Sequence, residues 1–103
     1  MQNFIAVGRL TKDPELDYTS NGIAKCTFTL AVESKKGTFK KTDFIPLVLW
    51  RQMAENASQY LVKGQRVGIE GKVRTSAYKV NGKTVPGFEI EVYEIDFYDA
   101  PKK

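Results

Sequence analysis

Nine residues, Thr42-Asp43-Phe44-Ile45-Pro46-Leu47-Val48-Leu49-Trp50, most constrain what this chain can become. They read as one β-strand with two apolar faces. Alternate side chains of a strand point to opposite sides. Ile45, Leu47 and Leu49 lie on one side; Phe44, Pro46, Val48 and Trp50 lie on the other. A chain of 103 residues can cover one face of a sheet with its own core. It has too little material to cover both. One aromatic-rich face is therefore left for a ligand or a second subunit.

The length implies a single domain over residues 1–99, with 100–103 as a short extension. Hydrophobic content of 42% and charged content of 27% are those of a folded globular chain. No apolar run is long enough to span a bilayer, and the first residues lack the pattern of a secretory signal. The one cysteine, Cys26, has no partner for an internal disulfide and no metal-ligand spacing around it. A cytoplasmic protein is the expectation.

The net charge of +4 is unevenly spread. Residues 1–87 carry 14 basic and 7 acidic side chains, whereas 88–99 carry Glu89, Glu91, Glu94, Asp96 and Asp99 and no cation. A basic surface concentrates polyanions, although solubility alone also explains it.

Residues 3–10 read as a strand apolar on both sides. Pro14 breaks it, and Asn21-Gly22 signals a turn. Residues 23–33 alternate cleanly, with Ala24, Cys26, Phe28, Leu30 and Val32 on one side. Residues 34–41 read as a loop carrying Lys35, Lys36, Lys40 and Lys41 around Gly37 and Phe39. The aromatic strand follows. Over 51–62 the period becomes helical, with Met53, Ala54, Ala57, Tyr60 and Leu61 turned inward. Tyr60 is thus expected to be structural. Residues 66–74 alternate again, with Gly68 and Gly71 where a sheet would bend. Residues 76–85 form a hairpin about Asn81-Gly82, and 88–97 the last strand.

Five strands with a helix between the third and fourth is the layout of an OB-fold, a small all-β barrel, here with an extended hairpin. Such barrels bind oligonucleotides on strands 2 and 3 and in adjoining loops. Phe44 and Trp50 share a strand face, and Tyr78 lies on a later hairpin. Aromatic rings offer surfaces on which unpaired bases stack whatever their sequence. Phe39 is a further candidate. A core or subunit-interface role is the competing account. Arg9, Lys25, Lys35, Lys36, Lys40, Lys41, Lys72, Arg74 and Lys79 are candidate phosphate contacts. Catalysis has little support. The chain has no histidine, and its glycines lack the spacing of a phosphate-cradling loop. Glu89 and Glu91 share a strand face, but a solvated position opposite Lys72 or Arg74 explains them better than a metal site. No metal or cofactor is expected.

Several stretches together carry a resemblance to a known family. They are Val7-Gly8-Arg9-Leu10-Thr11-Lys12-Asp13-Pro14-Glu15-Leu16, Phe28-Thr29-Leu30-Ala31-Val32, Thr42-Asp43-Phe44 and Val48-Leu49-Trp50. Tyr60-Leu61-Val62-Lys63-Gly64, Val67-Gly68-Ile69-Glu70-Gly71, Arg74-Thr75 and Tyr78 continue the series in order. The chain resembles the bacterial single-stranded DNA-binding protein over nearly its whole length. The resemblance implies a non-enzymatic, cytoplasmic and nucleoid-associated homotetramer. It would wrap single-stranded DNA without sequence preference in replication, recombination and repair. By position, Phe44, Trp50 and Tyr78 look like the stacking aromatics, and Lys63 and Arg74 like phosphate contacts. The first strand, with Phe4, Ile5, Ala6 and Val7, looks like the one that pairs between subunits.

There are departures. The family commonly carries tryptophan where Phe44 and Tyr78 stand, and Ser76-Ala77 replaces a more basic dipeptide. The sequence ends at Pro101-Lys102-Lys103, where the family usually continues into a flexible linker and an acidic tip that recruits replication and repair enzymes. Tail-dependent partners are therefore not expected for this chain. Two rival readings keep the fold: a primosome-type protein acting through protein contacts, and an RNA-binding OB module.

Overall fold

The computed structural model describes residues 1–98; the extension expected over 100–103 lies outside them. The elements follow in the order β1 (Phe4–Leu10), β2 (Glu15–Tyr18), β3 (Ala24–Lys36), β4 (Phe39–Trp50), α1 (Arg51–Tyr60), β5 (Arg66–Val80) and β6 (Lys83–Phe97). One six-stranded sheet has the order β1-β5-β6-β4-β3-β2, and β1 also pairs with β3. β4 and β6 run parallel; the other neighbours are antiparallel.

The expected five-stranded barrel with its helix between strands 3 and 4 is corrected on three counts. Among the described residues there are six strands, and the helix lies between β4 and β5. Nor is the sheet closed into a barrel along its length. β1 meets β3 over two residue pairs, Arg9–Ala31 and Leu10–Leu30, and β4 meets β6 over two, Leu47–Ile90 and Val48–Glu91. The domain is OB-fold-like and all-β. The unexpected strand is β2, which follows Pro14 directly. Its four residues are too few to show an alternating pattern, and only Leu16 packs against the core.

The long strands replace features that had looked separate. The four-lysine segment is the end of a β3–β4 ladder that runs to Lys36–Phe39. Its two-residue turn begins at Gly37, whose φ of +64° suits a glycine. Likewise β5 and β6 pair without interruption out to Val80–Lys83, apart from a bulge between Glu70 and Gly71. Both residues of that hairpin's turn, Asn81 and Gly82, have positive φ, as a type I′ turn requires.

The core contains Leu10, Cys26, Leu30, Leu47, Leu49, Val67, Ile69 and Ile90, with Ala54, Ala57 and Leu61 packed onto it from α1 and the residue beyond. Two glycines let backbones come close. A Cβ on Gly8 would lie 2.3 Å from the Ala31 carbonyl oxygen, and one on Gly71 would lie 2.3 Å from that of Glu91. The first approach is the β1–β3 seam; the second is the bulge. β4 passes into α1 with no intervening residue, a sharp turn taken up by Arg51 at a φ of +60°. That conformation is strained for a residue with a Cβ.

The helix ends at Tyr60, two residues before the expected limit, and Tyr60 does not turn inward. It is 48% exposed and lines a groove with Met53, Tyr93 and Phe97. Ala54 and Ala57 already bring the helix close to the sheet, and Leu61 fills the next inward position. No helix among the described residues is long and apolar enough to cross a membrane.

Candidate nucleic-acid interface

The β3–β4 register fixes which side chains share the outward face. Trp50 stands opposite Lys25, Val48 opposite Thr27, Pro46 opposite Thr29 and Phe44 opposite Ala31. Leu47 and Leu49 turn the other way, into the core. This division agrees with the alternation of the sequence. Phe44 is 63% exposed, and Trp50 is partly buried. The two rings are about 20 Å apart along the strand, at about 3.3 Å per residue. Val48 between them is 1% exposed, so the face is not uniformly open.

The outward row continues across the sheet from Val48 to Glu91 on β6 and Lys72 on β5. Arg74 and Tyr78 lie on the same side of β5, two and six residues further on. Tyr78 is 53% exposed, and its ring lies over Gly87 of the neighbouring strand. A Cβ on Gly87 would be 3.1 Å from that ring. The glycine leaves room for the aromatic side chain and so orients it.

The same alternation separates residues that the sequence had grouped. Lys35 and Lys40 stand directly opposite each other on the side of Phe44 and Trp50. Like charges in that position repel unless an anion lies between them. Lys36, Phe39 and Lys41 fall on the other side, and Lys41 pairs with Asp43 at 3.7 Å. Lys79 is likewise opposite in phase to Tyr78. Phe39 is exposed, but it does not share the Phe44 surface. What read as one lysine loop is a hairpin with two lysines on each face.

Three further cations are already engaged. Arg9 lies beside Ala31 on the outward side and donates from Nη1 to the Gly64 carbonyl at 2.9 Å. Arg74 donates to Glu91 at 2.8 Å. Lys25 lies over the Trp50 ring. Lys63 is exposed, and its backbone N–H donates to the Asp13 carboxylate at 2.7 Å. That contact ties the turn after α1 to the loop between β1 and β2.

That loop and the Phe44 end of the face enclose a cleft of about 650 Å³. Lys12, Thr27, Thr29, Phe44, Pro46 and Glu89 are among its walls. Lys12, Thr27 and Thr29 were missed by sequence reasoning. The threonines were legible as the polar side of an alternating strand, but nothing local placed Lys12 near Phe44.

On β1 the four residues expected at a subunit interface divide evenly. Phe4 and Ala6 pack against the core, whereas Ile5 and Val7 point outward, 68% and 45% exposed. Around them stand Glu70, Glu94 and Asp96. This surface is apolar and acidic, unlike the aromatic and basic one.

Residues 1–98 match the model of the single-strand binding protein family. The chain is 43% identical to the single-stranded DNA-binding protein of Bacillus cereus, over 96% of this chain and 61% of that protein. It is 45% identical to single-stranded DNA-binding protein 3 of Listeria innocua, over 97% of this chain and 65% of that protein. It thus spans about three-fifths of the length of these curated relatives. A solved structure described as a Plasmodium falciparum SSB complex with ssDNA has the same fold, with a TM-score of 0.90, 24% identity and 96% coverage of both chains.

Proposed function

This chain belongs to the single-strand binding protein family, and from that premise we propose that it binds single-stranded DNA without sequence preference and without catalysis. One observation carries the reading. Phe44, Trp50 and Tyr78 share an outward face with Lys25, Lys35, Lys40, Lys72 and Arg74. Exposed rings accept bases by stacking, and the cations between them neutralise phosphates. The expected task is to cover and protect exposed strands during replication, recombination and repair.

The protein assembles as a homo-oligomer, a tetramer by analogy with the family. Ile5 and Val7 on β1 support this, because a small domain rarely leaves two neighbouring aliphatic side chains in water. Lys12 lines the cleft at the Phe44 end of the face. Lys63 is exposed next to it, in the turn whose backbone holds Asp13 of the same loop. Both extend the phosphate path.

Titration with oligo(dT), followed through Trp50 fluorescence at several salt concentrations, tests the reading. Quenching is expected, with an affinity that falls steeply with salt. Equal affinity for duplex and single strands would overturn it. A matched oligoribonucleotide that competes better than the deoxyribonucleotide would favour the RNA-binding alternative.

A further inference from the structure

β6 lies between β4 and β5, so it separates Phe44 and Trp50 on one side from Arg74 and Tyr78 on the other. Its outward residues at this point are both acidic, Glu89 and Glu91. The residue directly across from Arg74 is Glu89, and the one across from Lys72 is Glu91. Arg74 nonetheless reaches past Glu89, and its Nη1 donates to Glu91 Oε1 at 2.8 Å. Glu89 is left without an ion-pair partner among the described residues and lines the cleft beside Phe44. Side-chain exposure is 58% for Arg74 and 29% for Glu91. An incoming anion can therefore reach the guanidinium, while the carboxylate is the more deeply set partner.

We infer that Glu91 is a built-in competitor for DNA phosphate at Arg74. The inference rests on the single-stranded DNA reading above. A phosphodiester that takes Arg74 must displace a carboxylate already in hydrogen-bonding position. The exchange replaces one charge-assisted contact with another, so the net gain from Arg74 is reduced. It also lowers salt sensitivity, because an arginine neutralised from within the protein removes fewer condensed counterions from the DNA. Glu91 thus sets how tightly the β5 side of the face holds a strand.

The test measures oligo(dT) affinity of the full chain against salt for the wild type and Glu91→Gln, each also with Arg74→Met. Glu91→Gln is expected to raise affinity about twofold to fivefold at low salt, the scale of a released surface ion pair. The log–log salt slope should steepen by about 0.7, one further phosphate neutralised on a single strand. Both gains should vanish with Arg74→Met. Glu91→Asp keeps the charge but shortens the reach, and should give a smaller gain in the same direction. An unchanged affinity and slope in Glu91→Gln would overturn the inference and leave the DNA-binding reading standing. So would an equal gain in the Arg74→Met background, which would mark a long-range charge effect. If neither wild type nor variant binds oligo(dT), the functional reading falls and this inference with it.

Discussion

The Lys25 ammonium lies 5.5 Å from the centroid of the Trp50 ring, across the β3–β4 ladder that places the two residues opposite each other. A cation over an aromatic face is attracted by the ring's quadrupole. The contact occupies one side of the indole. Trp50 is also the last residue of β4 and the N-cap of α1, so it is held from both directions.

Phe44 is a cleaner probe of stacking than Trp50, because it is the more exposed ring and stands apart from the helix junction. Phe44→Ala should weaken oligo(dT) binding by about 1–3 kcal/mol with little change in melting temperature. Trp50→Ala should weaken binding by a similar amount and also lower the melting temperature. Fluorescence anisotropy and thermal melts of both variants check this.

Phe39 provides the contrast. It is 67% exposed, about as open as Phe44, but lies on the other side of β4. If the outward face is the interface, Phe39→Ala should change oligo(dT) affinity less than threefold, within about 0.5 kcal/mol for a surface substitution. A loss as large as that of Phe44→Ala would mean that DNA wraps the tip of the β3–β4 hairpin.

The two adjacent residues Tyr60 and Leu61 should respond differently to truncation. Leu61 is buried against the core, so Leu61→Ala should lower stability by about 2–5 kcal/mol. Tyr60 is half exposed, and Tyr60→Ala should cost much less. Urea denaturation monitored by circular dichroism separates them. An oligomer formed through the Tyr60 groove would make the wild-type transition concentration-dependent in a way that Tyr60→Ala weakens.

Cys26 gives the fold an alkaline sensitivity. Burial pushes its thiol up to about 11 from the ordinary 9.0. The unfolded chain loses this proton first, so it binds fewer protons than the native state above pH 9, and stability falls with rising pH. The contribution is fully present below about pH 9 and is lost progressively as pH rises through about 11. Melting temperatures between pH 8 and pH 11 should therefore fall less steeply for Cys26→Ala than for wild type, on the scale of about 1.4 kcal/mol for each tenfold change in acidity. The native thiol should also react slowly with a disulfide reagent until the protein unfolds.

β2 and Tyr60 show where local pattern fails. Four residues after a proline carry no usable period, and β2 exists because β3 offers it a hydrogen-bonding edge. Tyr60 fits an apolar helical stripe, but the stripe is wider than the contact area, since alanines bring the helix down onto the sheet. Conversely, Asn81-Gly82 was legible because its turn requires positive φ at both residues, a local condition.

The sequence by itself determined the two faces of β4, the alternation of β3 and the position of the helix after Trp50. These depend on side-chain phase within one element, which a strand period of two or a helical period reveals directly. Tertiary structure alone decided that Phe39 and Phe44 part company, that Lys12 meets Phe44 across a cleft, and that Arg74 takes Glu91 rather than Glu89. Each of these depends on how far strands pair, on their register or on packing between elements, none of which is a property of one element alone. A one-residue shift in register turns every side chain of a strand to the other face, and composition carries no record of which register wins.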